Sequence, residues 1–337
     1  TICFNSRPEL FTIGSSCSGG AQPYTYQWYI STSENSDYEA IHEATDSMFQ
    51  SDNLTQTTYF KLKFISAEGC GQLFSNPIEV FVYDSLSPAI VSVTDDSPIC
   101  YGTSSDELYV QSPTNGADGN FIHQWQISED GEQWENINGA DSSSYLHPIL
   151  YGNQYFRLVD SSSFGCGTAV SDPILVEVYP QLDAGVIGVD DTICYAASVD
   201  LNITQFPSGG GDTYSYQWFA QIDSTTVSAL ADADTTILHC DSLLQTTSYK
   251  LVVSSNLGCG QDTTNVVTVY VRDPFTAGSI VGNDTICYNT QPASFAIDSL
   301  CFGGALPYTY QWQRYDGDSL WVNVEGAEDD SLQVGEL

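Results

Sequence analysis

Tyr24-Thr25-Tyr26-Gln27-Trp28-Tyr29 carries the key to this 337-residue chain. Aromatic and polar side chains alternate along it, the period-two signature of a strand with one buried face. Its Gln-Trp pair returns at Gln124-Trp125, Gln217-Trp218 and Gln311-Trp312. Upstream of each pair stands an opening cysteine, in Thr1-Ile2-Cys3, Pro98-Ile99-Cys100, Thr192-Ile193-Cys194 and Thr285-Ile286-Cys287. Downstream, a Gly-Cys-Gly closes three of the units, at Gly69-Cys70-Gly71, Gly165-Cys166-Gly167 and Gly258-Cys259-Gly260. The steps between opening cysteines are 97, 94 and 93 residues. A fixed period of this kind marks a repeat protein, and its length suits one immunoglobulin-like β-sandwich.

Working outward, each unit reads as strand after short strand. Tyr59 to Phe64 and Tyr249 to Val253 alternate in the same way, and the last strand of each unit is β-branched, at 78–83, 174–179 and 266–271. Turn clusters such as Ser18-Gly19-Gly20, Ser208-Gly209-Gly210-Gly211 and Glu129-Asp130-Gly131 separate them. No stretch carries a 3.6-residue apolar stripe. The fold class is therefore all-β, with tandem immunoglobulin-like sandwiches at 1–84 (repeat 1), 85–180 (repeat 2), 181–273 (repeat 3) and 274–337 (repeat 4). Repeat 1 lacks a lead-in strand and repeat 4 stops before its last strands, so the expectation is a segment of a longer array. Short linkers at 84–97, 180–191 and 273–284 predict an extended rod.

The repeated tryptophans Trp28, Trp125, Trp218 and Trp312 are predicted to fill the cores. Tyr59, Tyr155 and Tyr249 fall where a tyrosine corner would sit. Trp134 and Trp321 follow their Gln-Trp tryptophans by nine residues and are read as rim-packing, with sugar stacking as the alternative.

Seven Lys and Arg against 43 Asp and Glu leave a net charge of -36. Such a surface repels phosphate backbones and anionic lipid, so nucleic-acid and membrane-surface partners are excluded. Self-repulsion keeps a long chain dispersed. No apolar run reaches the ~18 residues a membrane helix needs. No cofactor motif is present; the only ion the acids could hold is Ca²⁺, at Asp95-Asp96 and Asp190-Asp191 ahead of two opening cysteines, without a DxDxDG loop.

Ten cysteines without close CxxC pairs point to disulfides and an oxidising compartment. The spacings of 67, 66 and 65 residues predict one bridge inside each complete repeat: Cys3–Cys70, Cys100–Cys166 and Cys194–Cys259. Each such loop would contribute about 4 kcal/mol by the chain-entropy argument. Cys17, Cys240, Cys287 and Cys301 are left over.

Taken together, Asp284-Thr285-Ile286-Cys287, Pro307-Tyr308-Thr309-Tyr310-Gln311-Trp312, Asp130-Gly131-Glu132-Gln133-Trp134, Ile137-Asn138-Gly139-Ala140 and the three Gly-Cys-Gly sites resemble the Ig-like repeats of large Bacteroidetes surface adhesins. The second and third repeats depart from the pattern, with Phe121-Ile122-His123 for Tyr-Thr-Tyr and no proline before Tyr214. The resemblance implies export by the type IX secretion system, as in the SprB-like gliding adhesins. It also implies a cell-surface, outer-membrane-associated location and a role as structural stalk or adhesive segment in gliding or attachment. Neighbouring repeats would be the first partners, with surface polysaccharide or secretion and motility proteins beyond them. Spacers of another exported protein, or carbohydrate-binding modules of a secreted enzyme, are the alternatives.

Bacteroidetes O-glycosylation resembles a rule of Asp, then Ser or Thr, then an aliphatic, Met or Thr. The rule is met at Ser47, Ser85, Thr192, Ser224, Thr235, Ser242, Thr263, Thr285, Ser299, Ser319 and Ser331. Composition alone would give roughly two or three such matches.

Catalysis is not expected. His42, His123, His147 and His239 occupy non-equivalent places in the repeats. No zinc-protease, nucleophile-elbow or phosphate-loop pattern accompanies them. Adjacent acids in a strand point to opposite faces and cannot converge on one substrate.

Overall fold

The computed structural model describes residues 1–95, 97–104, 107–223, 225–317 and 320–337, and every regular element among them is a β-strand. Contacts divide the chain into two compact units, Thr1–Val178 and Tyr179–Leu337. The first holds repeats 1 and 2, the second repeats 3 and 4.

Repeat 2 sets out the architecture. The strand Phe121–Ser128 lies antiparallel to Gln154–Ser162, placing Trp125 opposite Leu158. Glu135–Asn136 flanks one side of this pair, and Thr168–Val170 and Ile174–Val176 flank the other. The facing sheet is built from Ser144–Tyr145, Leu108–Ser112 and Ile90–Val93. Side chains alternate in and out along each strand, so one face of each sheet is apolar and the two faces close on each other. Leu108, Trp125, Phe156, Leu158 and Val176 meet between them. Repeat 3 repeats the plan around Trp218, Leu251, Val253 and Val267, and repeat 1 around Trp28, Phe60 and Leu62. In each complete repeat the segment at the opening cysteine runs parallel to the last strand, through Ile2 and Val82, Ile99 and Val178, and Asp191–Ile193 with Val269–Val271. These are tandem immunoglobulin-like sandwiches.

Trp28, Trp125 and Trp218 are almost wholly buried, at 1%, 0% and 0% exposure. Burying an indole of this size stabilises each sandwich by on the order of 4 kcal/mol. The indole N–H remains satisfied, because it donates to the carbonyl of Asp46, Ser142 or Thr235. The preceding glutamine locks the strand that carries the tryptophan. In repeat 2 the Gln124 amide donates to the carbonyls of Trp125 and Ile137, both at 2.8 Å. Gln27, Gln217 and Gln311 make the same fork.

Trp312 departs from expectation. It keeps the glutamine fork and its indole bond to Asp329, yet it is only half-buried. Its sheet, Gln313–Tyr315 with Trp321–Asn323, has two strands among the described residues, too few to cover the ring. The tyrosine-corner reading also needs correction. The Tyr59 hydroxyl donates to the Glu79 carboxylate rather than to upstream backbone, and Tyr249 is buried beside Cys240.

Candidate functional site

The two ends of each sandwich are chemically different, and strand length keeps them apart. At one end of repeat 1, Ile2 donates to the Phe81 carbonyl and accepts from the Tyr83 N–H, which places Cys3 beside the exit of the last strand. Thr58, opposite Val80, begins its strand at that same end. The strand then runs ten residues to Ala67, and the Gly-Cys-Gly hairpin follows at the far end. At ~3.3 Å per residue the two ends lie about 30 Å apart. Disulfides need Cα atoms within roughly 7 Å. The predicted bridges Cys3–Cys70, Cys100–Cys166 and Cys194–Cys259 therefore do not form; each would have to span a whole sandwich.

Instead Cys3 bonds to Cys166, with Cα atoms 5.2 Å apart and 163 residues between them in sequence. The opening cysteine of repeat 1 is joined to the closing cysteine of repeat 2. Cys100 and Cys259 are disulfide-bonded as well. Cys70 and Cys194 are exposed thiols, and Cys17, Cys240, Cys287 and Cys301 are also reduced.

The hairpin that presents Cys166 explains why glycine flanks it. Gly165 and Gly167 sit at φ of 83° and 102°, in the region that L side chains avoid. That geometry lets the Ser162 N–H reach the Gly167 carbonyl at 3.0 Å and the Gly165 N–H reach Ser162 at 3.1 Å. Asp118 braces the hairpin from the adjoining loop, accepting from the hydroxyls of Ser162 at 2.8 Å and Ser163 at 2.6 Å. The Ser163 bond is the main reason its pKa falls to about 2; desolvation opposes it, and the bonds from Ser162 and Asn120 add to the lowering. Nothing in the repeat pattern marks Asp118, because no other repeat has its counterpart.

The same end receives the linker from the preceding repeat. Asp84–Ser87 pairs antiparallel with Asn115–Ala117. The Tyr83 ring meets Phe164 edge-on at 5.2 Å, and Leu86 lies against Gly167. The glycine of the turn cluster makes room: a Cβ on Gly116 would stand 2.1 Å from the Ser85 carbonyl oxygen. Repeat 3 seats its own linker likewise, with Gly209 against the Gln181 carbonyl, Gly210 against Leu182 and a bridge between Asp183 and Ser208. Repeat 4 does so with Gly303 against Pro274, Gly304 against Phe275, and Thr276 bridged to Phe302. These glycines read as turn formers in sequence; their second task, close approach to a linker backbone, leaves no local signal.

The seated linker is found in repeats 2, 3 and 4, and all four repeats match one family of repeats, described as Domain of unknown function (DUF8696), at residues 1–84, 90–180, 183–273 and 276–337. The chain belongs to the DUF8696 family. No curated protein matches it. Among solved structures, titin domains A168–A170 are similar at 12% identity and a TM-score of 0.32, over 78% of this chain and 97% of that one. The N-terminal four Ig domains of Dscam1 isoform 9.44 are similar at 12% identity and a TM-score of 0.24, over 93% of this chain and 84% of that one.

The remaining predicted residues scatter over the DUF8696 repeats rather than converging. Ser47, Ser85, Thr192, Thr235, Ser242, Thr263, Thr285, Ser299 and Ser331 are all exposed; Ser224 and Ser319 lie outside the described residues. Among the calcium candidates, Asp95 accepts from the Ser97 N–H, which holds its carboxyl below the usual range. Asp190 accepts from Thr268 N–H and Asp191 from Thr192 N–H, both at 2.7 Å, while Asp96 lies outside the described residues. Among the described residues no three His, Cys, Asp or Glu side chains gather to hold a metal.

The histidines also stay apart. His123 meets the buried Asp160 at 2.6 Å, and Thr114 donates to the same carboxylate. The acid stands between the other two, so the hydroxyl bonds to the carboxylate and not to the imidazole, unlike the nucleophile–histidine pair of a triad. His239 pairs with Asp200 on an exposed face, His42 is exposed, and His147 is buried against Phe156. Trp134 packs at the rim, under the Arg157 guanidinium at 4.1 Å, whereas Trp321 is 64% exposed beside Tyr315. Among the described residues no helix is long and apolar enough to cross a membrane.

Proposed function

We propose that this chain is a load-bearing spacer of an extracellular surface protein, in which a covalent bond between successive repeats carries tension past folded chain. The observation that carries this reading is the bond between Cys3 and Cys166. A bridge within one repeat would stabilise that repeat alone. A bridge from the opening of one repeat to the closing hairpin of the next, at the end of repeat 2 that receives the linker, lets force enter at Cys3 and leave at Cys166, bypassing the stretch of chain between them. The tandem DUF8696 repeats and the acidic surface agree with a spacer: each sandwich buries its own core, and like charge discourages collapse and clumping.

The finer assignment is to a stalk or adhesive segment of a gliding or attachment adhesin exported by the type IX system. It rests on the motif resemblance. O-glycans on the exposed Asp-Ser and Asp-Thr sites would shield the chain from proteases. Hexose-scale mass additions on those peptides, in protein from its native source, are the expected finding.

The spacer reading is tested by stretching single molecules with and without reductant. In the oxidised chain the residues between Cys3 and Cys166 cannot extend. Reduction should add on the order of 500 Å of contour length, from the 163-residue separation at ~3.3–3.6 Å per residue. Equal contour lengths in both conditions would overturn the proposal.

A further inference from the structure

Seven Lys and Arg serve the whole chain, and three of them stand at one place in the repeat. Lys61, Arg157 and Lys250 each precede the leucine that faces the core tryptophan, opposite Tyr29, Gln126 and Phe219 on the neighbouring strand. The strand alternates, so the leucine points into the sandwich and the cation onto the outer face of the sheet. Each cation rests over an aromatic ring: Lys61 over Tyr38 at 4.0 Å, Arg157 over Trp134 at 4.1 Å and Lys250 over Phe219 at 5.9 Å. Tyr38 and Trp134 come from the hairpin that follows the tryptophan strand, and Phe219 from that strand itself. Different residues thus restore the same contact.

An aromatic ring holds a cation in place without neutralising it. Among the described residues none of the three forms an ion pair, although the chain has 43 acids and Arg7 does pair with Asp52. An acid on the opposite strand would stabilise the sheet, yet that position holds Tyr29, Gln126 or Phe219. Glu79 lies opposite Tyr59 and accepts from that hydroxyl instead. In repeat 2 the guanidinium is fixed further: its Nε donates to Gln126 at 2.7 Å, and the Gln126 amide donates to Asn136 at 2.8 Å. Hydroxyl side chains share the face, because Tyr59, Tyr155 and Ser248 lie two residues before each cation. A fixed, unpaired cation beside a ring and hydroxyls suits the carboxylate of an acidic sugar. We infer that the outer sheet face of repeats 1, 2 and 3 carries a carboxylate-binding site, and that its ligand is a glycan in which uronate and neutral sugars alternate. Salt confines the field of each site to about 8 Å, so a site answers to one carboxylate at a time. The net charge of -36 turns away ligands of dense negative charge, a second copy of this chain included. Spaced carboxylates satisfy both conditions. The sites do not involve Cys3 or Cys166, so this inference goes beyond the load-bearing reading and does not depend on it.

The test titrates the whole oxidised chain with a hyaluronan hexasaccharide, which alternates glucuronate and a neutral sugar. A matched hexasaccharide with its carboxyl groups reduced to alcohols is titrated beside it. Saturable binding with a Kd on the order of 1 mM or below is expected, weakening as salt rises. The reduced hexasaccharide should bind at least about tenfold more weakly. The triple variant Lys61→Gln, Arg157→Gln, Lys250→Gln should lose at least about tenfold as well. Lys61→Arg, Arg157→Lys and Lys250→Arg together keep the charges and should retain binding, which separates the loss of charge from any loss of fold. Arg272→Gln, at an exposed cation outside these sites, should leave the affinity as it was. Reductant should leave it unchanged too, so failure here and failure of the spacer reading are told apart. The inference is overturned by no saturable binding, by equal affinity for the reduced hexasaccharide, or by equal affinities of the glutamine and charge-keeping variants. Self-association of the chain that the glutamine variant abolishes would also overturn it, and would assign the face to a second copy.

Discussion

Repeats 1 and 2 present the same Gly-Cys-Gly hairpin, with glycines at positive φ on both sides of the cysteine, and put it to different use. In repeat 2 the hairpin cysteine is bonded, a linker strand lies along the neighbouring glycines, and Asp118 braces the loop. In repeat 1 the hairpin cysteine is an exposed thiol and the glycine seat is bare. The local fold is equivalent, and what sets repeat 2 apart is the segment Asp84–Ser87 laid along its glycines and the bond from Cys166 to Cys3.

The sharpest way to break that contrast is to remove the closing cysteines one at a time. Cys166→Ser should lower the stability of the first unit by up to about 5 kcal/mol, the chain-entropy figure for a loop of 163 residues. Cys70→Ser should leave it within ~0.5 kcal/mol, the usual range for a surface change. Chemical denaturation of both variants under oxidising conditions reads the difference. A comparable loss from both would mean that the two hairpins are equivalent after all.

Next in size is the glycine seat. Gly116→Ala drives a methyl group into the Ser85 carbonyl and should destabilise the junction by about 3 kcal/mol or more. Gly19→Ala meets nothing, and its cost is the backbone strain of a positive φ, on the order of 1 kcal/mol. Protease nicking of the segment between Asp84 and Ser87 should rise in the first variant and not in the second.

The Gln-Trp fork gives a third, smaller effect, and one that ought to be shared by both repeats. Gln124→Ala and Gln27→Ala each strip two carbonyls of a donor and should cost about 1–3 kcal/mol. Unequal losses in thermal melts would show that the junction reaches back into the core.

The smallest expected effect distinguishes the repeats by pH. The folded-state pKa of Asp118 is depressed to about 2, so the stability it contributes is fully present above its unfolded value of ~3.9 and fades as pH falls toward 2. Repeat 1 has no such brace. An Asp118→Asn chain should lose part of the acid dependence of repeat 2 in that window, measured as the change of midpoint between pH 5 and pH 2.5.

Much of this was legible in the sequence, for a physical reason. Alternation along Tyr24–Tyr29 and its relatives is a local consequence of the pleat, and a recurring Trp surrounded by such strands has few places to go but the core. The cysteine pairing was not legible. Its partner choice depends on which end of a sandwich each cysteine reaches, and that follows from strand length and direction rather than from spacing along the chain. Cys3 and Cys70 look paired at 67 residues, yet they are held apart by the ten residues of Thr58–Ala67. Gln124 was legible as a polar position on an alternating strand, but its fork onto two carbonyls appears only once Ile137 has folded back beside it. Trp312 carries the same motif as Trp218 and differs in burial because burial belongs to the surrounding strands.

The offset of the Cys3–Cys166 bond also sets a clock. At synthesis rates of ~5–20 residues per second, the partner of Cys3 emerges roughly 10–30 s after it does, across 163 intervening residues. Through that interval repeat 1 has time to form its strands and seal its core, whereas repeat 2 still awaits Thr168–Val170 and Ile174–Val176, so the cysteine that joins the two arrives after the first sandwich is complete and before the second.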